Sequence, residues 1–230
     1  MAIETVYDNG DPQKDIIAIN AGHPNEVHPK TLTAINTQLV VDVNGQSDIL
    51  LAGISNRECY SKFSKMNPIL VANSAMANTV MQFQNRPVVR EGGIAILAHP
   101  MENSFDYSKF GPYVEFFNRL LKQGHDAYRI WENYVDEFAH RPEYIYGYRY
   151  GYAYHGSHPF FMWNSTAIPQ RYLSKIFFAG AKDFDVVRRC GFEPFETVEA
   201  AIDAAEVEMG KNSTITLLQR PPQFIPRVSE

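Results

Sequence analysis

Residues 92–100 read GGIAILAHP. Positions 94–98 are apolar without a break, and turn residues close the run: Gly92 and Gly93 before it, His99 and Pro100 after. Short apolar runs bounded in this way suit strands of a parallel sheet covered on both faces. Four more segments carry the pattern: DIIAINAG (15–22), SDILLAGISN (47–56), SKIFFAGAKD (174–183) and STITLLQR (213–220). QLVVDV (38–43) reads as a further short strand.

Helical patterns alternate with these runs. In 107–123, Tyr113, Phe116, Phe117, Leu120 and Leu121 follow a 3.6-residue period, and Gly124 is a natural stop. In 197–209, Val198, Ala201, Ile202, Ala205 and Met209 share a face between a Thr197 cap and a Gly210 end. DFDVVRRCG (183–191) reads as a short helix closed by Gly191. Residues 57–86 contain helical stretches with an unplaced internal break. Residues 125–163 form an aromatic-rich helical and loop insertion, helical near 126–138. This alternation predicts an α/β fold, a mostly parallel sheet flanked by helices with right-handed crossovers. The expected organisation is one domain over 1–220 and an extended tail over 221–230.

Composition sets the outer limits. The chain has 230 residues, 45% hydrophobic and 20% charged, enough to bury a core without staples. A net charge of −5 and the lack of a basic run exclude a nucleic-acid surface, which needs clustered Lys and Arg. No apolar run reaches membrane-spanning length, and the N-terminus MAIETVYDNGDPQKD has no signal-peptide core. Cys59 and Cys190 stand far apart and make neither a disulfide framework nor a Cys-x-x-Cys site. A cytoplasmic location is therefore expected.

Ligands of parallel α/β sheets bind beyond the C-terminal strand ends. That rule picks out Asn20 and His23, then Ser55 and Asn56, then His99, Glu102 and Asn103, then Lys182. Loops are polar in any case, so position alone leaves a structural role equally open. His99 adds chemistry to position. Histidine titrates near neutrality and Glu102 lies three residues on, which makes the two catalytic candidates. The competing reading is a hydrogen-bonded loop histidine before Pro100. Lys182 reads as a solvated side chain before a capping Asp183. The sequence has no Gly-x-Gly-x-x-Gly, Walker, Gly-x-Ser-x-Gly or His-Glu-x-x-His motif. Pro24, after His23, suits a helix start. YHGSHP (154–159) places His155 and His158 in an aromatic run. Gly156 and Pro159 oppose a regular helix through both, and two ligands alone do not make a metal site. A structural role is favoured for the pair.

Three blocks, in order, resemble the nickel-pincer-nucleotide lactate racemase family. IIAINAGHPNEVHP (16–29) is similar to its strand–Gly-Asp-Pro–helix segment, with Val27-His28 at its Ala-His. RPVVREGGIAILAH (86–99) resembles its VVKPGG and following strand. FEPFETVEAAIDAAEVEMGKNSTITLL (192–218) is similar to its closing helix, Gly-Lys and last strand. YHGSHPFFMW (154–163) resembles its glycine–histidine block, with His158 at the family's histidine.

The resemblance implies a two-domain enzyme with cofactor and active site in the cleft between domains. Its chemistry passes hydride from the substrate carbon to the pincer cofactor while a histidine moves the hydroxyl proton. The N-terminal domain carries the cofactor-tethering lysine, the nickel-ligating histidine and the catalytic histidine pair. This chain resembles the C-terminal domain alone. It is expected to bind no cofactor or metal itself and to meet the nickel-pincer nucleotide through a partner N-terminal domain or subunit. The family's Tyr-Gln-x-x-Lys substrate stretch falls on MANTVMQ (76–82), where Ala77, Asn78 and Met81 stand instead. No lysine lies between Lys65 and Lys109, so the carboxylate-binding cation is missing there, and Arg86 or Arg90 would substitute only by moving. The cleft candidates are His23, Ser55, Asn56, Asn73, Asn78, His99, Asn103 and His158.

Three functions compete. One is a component of a 2-hydroxy acid racemase or epimerase, inactive alone. Another is a non-catalytic binding or homo-oligomeric scaffold whose tyrosines build the interface. The third is an independent hydrolase or lyase using His99, Glu102 and the YHGSHP histidines. No membrane or nucleic-acid partner is expected.

Overall fold

The computed structural model describes residues 1–11, 14–55, 66–219 and 224–229. In chain order the strands are β1 (Ala2–Tyr7), β2 (Ile16–Gly22), β3 (Val40–Asn44), β4 (Ser47–Gly53), β5 (Val89–Ala98), β6 (Lys175–Ala179), β7 (Glu193–Phe195), β8 (Ile215–Leu218) and β9 (Ile225–Ser229). The helices are α1 (Pro24–Leu39), α2 (Pro68–Ala75), α3 (Gly111–Glu115), α4 (Ala127–Ala139), α5 (Pro142–Tyr150), α6 (His158–Asn164), α7 (Ala167–Tyr172), α8 (Phe184–Arg189) and α9 (Val198–Met209). Single wide π-helical turns extend α2 over Met76–Val80 and α3 over Phe116–Leu120.

GGIAILAHP lies at the centre of the molecule. The main sheet is five-stranded and wholly parallel, in the order β7-β6-β5-β4-β8. Both faces are covered, which is why its strands lack a polar face. Ile49, Ile94, Ile96, Phe177 and Ala179 point to one side and meet Ala201 and Ala205 of α9. Leu50, Ala52, Ala95, Leu97, Ile176 and Phe178 point to the other and join the larger core under α2, α3, α4, α6 and α8. The two alanines let α9 lie close to the sheet. Thr197 caps that helix by accepting from Ala200 N at 3.1 Å, and Gly210 ends it at φ +95°, a conformation that suits glycine.

Gly93 answers to a close approach. The register of β4 on β5 slips between Ser47 and Ile49. A Cβ on Gly93 would come within 2.6 Å of the Asp48 carbonyl oxygen and of Val89 Cγ2. Only a residue without a side chain lets the strands meet there.

One expected strand belongs elsewhere. Residues 15–22 read as a buried strand, yet β2 pairs antiparallel with β1 in a separate two-stranded sheet. Its Ile16, Ile17 and Ile19 are 50%, 53% and 62% exposed. Only its inner face rests near α1, so the continuous apolar run is not matched by burial on both sides. The segment 38–43 does form a strand, β3, but outside the main sheet. It pairs in parallel with β9, so the C-terminal residues are extended and also hydrogen-bonded. The expected strand 47–56 stops at Gly53.

Candidate functional site

The crossover helices run against the strands, and this fixes where each candidate lies. Ser55 follows β4, and His99, Glu102 and Asn103 follow β5, so these four share the C-terminal end of the sheet. Asn56 lies outside the described residues. Ser55, Glu102 and Asn103 are exposed. His99 is buried, at 5% exposure. Its N–H donates to Ala179 O at 3.0 Å, and its carbonyl accepts from Met101 N at 2.8 Å. Burial pushes its pKa down to about 4, against a smaller upward pull from Glu102. His99 is therefore neutral at pH 7, and the burial that keeps it neutral also weakens it as a base.

The other candidates lie apart. His23 is exposed and caps α1, accepting from Asn25 N at 3.3 Å. Asn73, on α2, donates to Ser165 Oγ at 2.7 Å and ties that helix to the end of α6. Asn78 is exposed on the π turn beyond α2. The ten residues of β5 span about 30 Å at the usual strand rise, and α2 runs back along them. Asn78 thus sits toward the end of the sheet opposite His99. The crevice rule itself points to a third place. The crossovers after β4, β5 and β6 pack into the larger core, whereas α9, after β7, covers the opposite face. Loops diverge between β6 and β7, beside Lys182 and Thr197.

His158 sits at the start of α6 in an aromatic lobe. Its Nδ1 lies 2.5 Å from the Tyr113 hydroxyl, and its ring meets Tyr154 at 4.8 Å between centroids. Burial and the nearby His155 hold its pKa below the ordinary histidine value. Tyr113 is fully buried and lies 45 residues away in sequence, which leaves no local signal for the pair. His155 is local: its Nδ1 lies 2.8 Å from Ser157 Oγ. Tyr144 and Tyr154 pack against the core, whereas Tyr146, Tyr148, Tyr150 and Tyr152 face outward.

A charge network holds this lobe together. Glu115 accepts from Arg119 at 2.8 Å, from Tyr144 at 2.5 Å and from Arg141. Glu137 binds both guanidiniums as well. Burial alone would raise the Glu115 pKa, but the hydrogen bonds from Arg141 and Tyr144 outweigh it and hold the carboxyl below its usual range. Arg141 also lies over the Phe138 ring at 5.1 Å. Arg141→Ala removes the bonds to both carboxylates and the ring contact. It is expected to cost roughly 2 kcal/mol, the range of charge-assisted bonds at a half-buried site, read as a lower urea midpoint.

Among the described residues no three His, Cys, Asp or Glu side chains converge to hold a metal ion. Cys190 is buried, and burial pushes its thiol pKa up. No helix among the described residues is long and apolar enough to cross a membrane.

These features define an α/β domain built on a fully parallel five-stranded sheet with two small accessory sheets. No family model matches the sequence, and no curated protein matches it significantly. Among solved structures, it is similar to the lactate racemase apoprotein from Thermoanaerobacterium thermosaccharolyticum. The TM-score is 0.57 at 16% identity, over 98% of this chain and 45% of that one. A structural-genomics target from Thermotoga maritima is 10% identical, with a TM-score of 0.46, over 99% of this chain and 48% of that one. The chain spans less than half the length of the racemase it resembles. At such identity the likeness establishes the fold alone.

Proposed function

We propose that this chain supplies the C-terminal half of a racemase or epimerase acting on a 2-hydroxy acid, forming one wall of the substrate cleft. The observation behind this reading is the overlay on lactate racemase, which takes in 98% of this chain and 45% of the enzyme. The rest of such an enzyme comes from the same polypeptide or from a separate one. That other half carries the nickel-pincer nucleotide and the catalytic histidines. This chain contributes polar side chains that hold and orient the acid.

The test is co-expression with the polypeptide encoded beside it, followed by chiral chromatography of D- and L-lactate and nickel analysis of the complex. Interconversion by the pair, and by neither member alone, is the expected result. A chain that purifies alone and yields no racemisation of any 2-hydroxy acid with its neighbour ends the proposal.

A second reading rests on a different observation. Tyr146, Tyr148, Tyr150 and Tyr152 are 68%, 56%, 70% and 92% exposed, and α5 buries none of its residues. Such a surface suits a homo-oligomeric scaffold. Light scattering that shows a monomer at every concentration excludes it.

A further inference from the structure

Helix α4 turns one stripe of side chains toward a hollow of about 360 Å³. Asp126, Arg129, Ile130, Asn133 and Tyr134 recur at the spacing of a single helical face, and all five line it. Gln123 and His125, from the turn before the helix, line it as well. Those walls are fixed. Tyr134 donates its hydroxyl to Gln123 Oε1 at 2.6 Å, and Gln123 Nε2 donates to Arg119 O at 3.2 Å. His125 Nε2 donates to Arg189 O at 3.0 Å, and the His125 carbonyl accepts from the buried Trp163 Nε1 at 3.1 Å. Arg189 ends α8, which runs back along β6, so the hollow lies toward the end of the sheet opposite His99.

The hollow carries a full charge of each sign. Arg129 has no carboxylate within ion-pair distance among the described residues, and its guanidinium makes no hydrogen bond to them. Asp126 uses Oδ1 to cap α4, accepting from Tyr128 N at 3.0 Å and from Arg129 N at 3.1 Å. Its Oδ2 meets Arg171 at 3.6 Å, in an exposed pair of little strength. Asn133 lies one turn beyond Arg129 with both halves of its amide open. Ile130 and the Tyr134 ring give the hollow a small apolar floor. A guanidinium and a carboxylate held on one helical face, and not paired with each other, suit a ligand that carries both charges itself.

We propose that this hollow binds a free α-amino acid with a short aliphatic side chain. The ammonium meets Asp126 Oδ2, the carboxylate takes the Arg129 fork and the Asn133 amide, and the side chain rests on Ile130 and Tyr134. The walls already hold their own hydrogen bonds, so binding orders little beyond the Arg129 side chain. This site does not rest on the racemase reading.

The experiment is isothermal titration calorimetry of the full chain at neutral pH and constant ionic strength. The probes are valine, glycine, isovalerate (valine without its ammonium) and isobutylamine (valine without its carboxylate). Valine is expected to bind saturably, one per chain. Each of the other three is expected to bind at least about fivefold more weakly, for want of one charged or apolar contact. Asp126→Asn keeps a good helix cap while removing the charge, and Arg129→Gln removes the cation at an exposed position. Each is expected to weaken valine binding about fivefold or more. If either variant does not fold, the probe series on the wild type and the exposed Asn133→Ala decide the assignment. Isovalerate as tight as valine would make the hollow a plain anion site and overturn the proposal. So would the lack of saturable heat with millimolar valine, or valine binding unchanged in Arg129→Gln.

Discussion

Gly156→Ala destabilises the protein by about 3 kcal/mol or more, at the upper end of what overpacking costs. Gly156 lies in the turn between α5 and α6. A Cβ there would fall 2.0 Å from the Phe138 carbonyl oxygen and 2.7 Å from its carbonyl carbon. Both atoms belong to the backbone of α4, so no side-chain rotation relieves the clash. The turn must lift from α4 or α4 must shift. Phe138 is fully buried, and its ring meets Phe160 at 5.0 Å and the guanidiniums of Arg119 and Arg141. Either movement opens that cluster. The measurement is urea unfolding with near-UV circular dichroism, which reports the packed aromatics. Ser157→Ala, one residue on, removes only the contact with His155 and is expected to cost less than about 1 kcal/mol. A Gly156→Ala midpoint equal to wild type would show that the turn does not rest on α4.

The same turn shows how far the sequence carries. Gly156 and Pro159 argue against one helix through His155 and His158, and α6 does begin at His158 with Pro159 in its first turn. Nothing near His158 in the chain points to Tyr113. GGIAILAHP is legible because a strand covered on both faces must be apolar at every position. IIAINAG opens on a similar apolar run and has a different fate. An apolar run says that a segment tends to be covered, not which strand it pairs with. β1 escapes notice because its inward face reads Ala2, Glu4, Val6, and only Val6 is deeply buried. β7 is three residues long, too short for any period to emerge. β9 carries Pro226, which reads as a coil signal, although the strand pairs only with β3. The candidate site is the least legible part. Strand-end position gathers Ser55, His99, Glu102 and Asn103, but Asn78 and His23 sit elsewhere.

Lowering the pH from 7.5 to 5.0 is expected to remove about 2 kcal/mol of stability through His99, and roughly 3 kcal/mol by pH 4. Burial depresses its folded pKa to about 4, whereas the unfolded chain holds it near the ordinary value of 6.5. Above pH 6.5 both states are neutral at this position, and the native state keeps its full stability. Between 6.5 and 4 the unfolded chain takes up the proton and the native state does not, so the balance tips toward unfolding as pH falls. Below 4 the native His99 is protonated too, and the loss levels off. His158 acts in the same direction, so wild type alone does not isolate His99. His99→Gln does, because glutamine keeps polarity and cannot titrate. The wild-type and variant unfolding free energies, measured in urea at pH 7.5 and 5.0, are expected to converge as the pH falls. Stopping at pH 5.0 keeps most carboxylates out of the comparison. Asp48 and Glu137, held at about 2, lose their contribution mainly at lower pH, once unfolded carboxyls begin to protonate. Equal pH slopes for wild type and His99→Gln would mean that His99 is solvated rather than buried. That result would also leave the imidazole with its ordinary basicity, whereas burial weakens it as a base at the strand ends. The pH slope measures the burial of this ring directly.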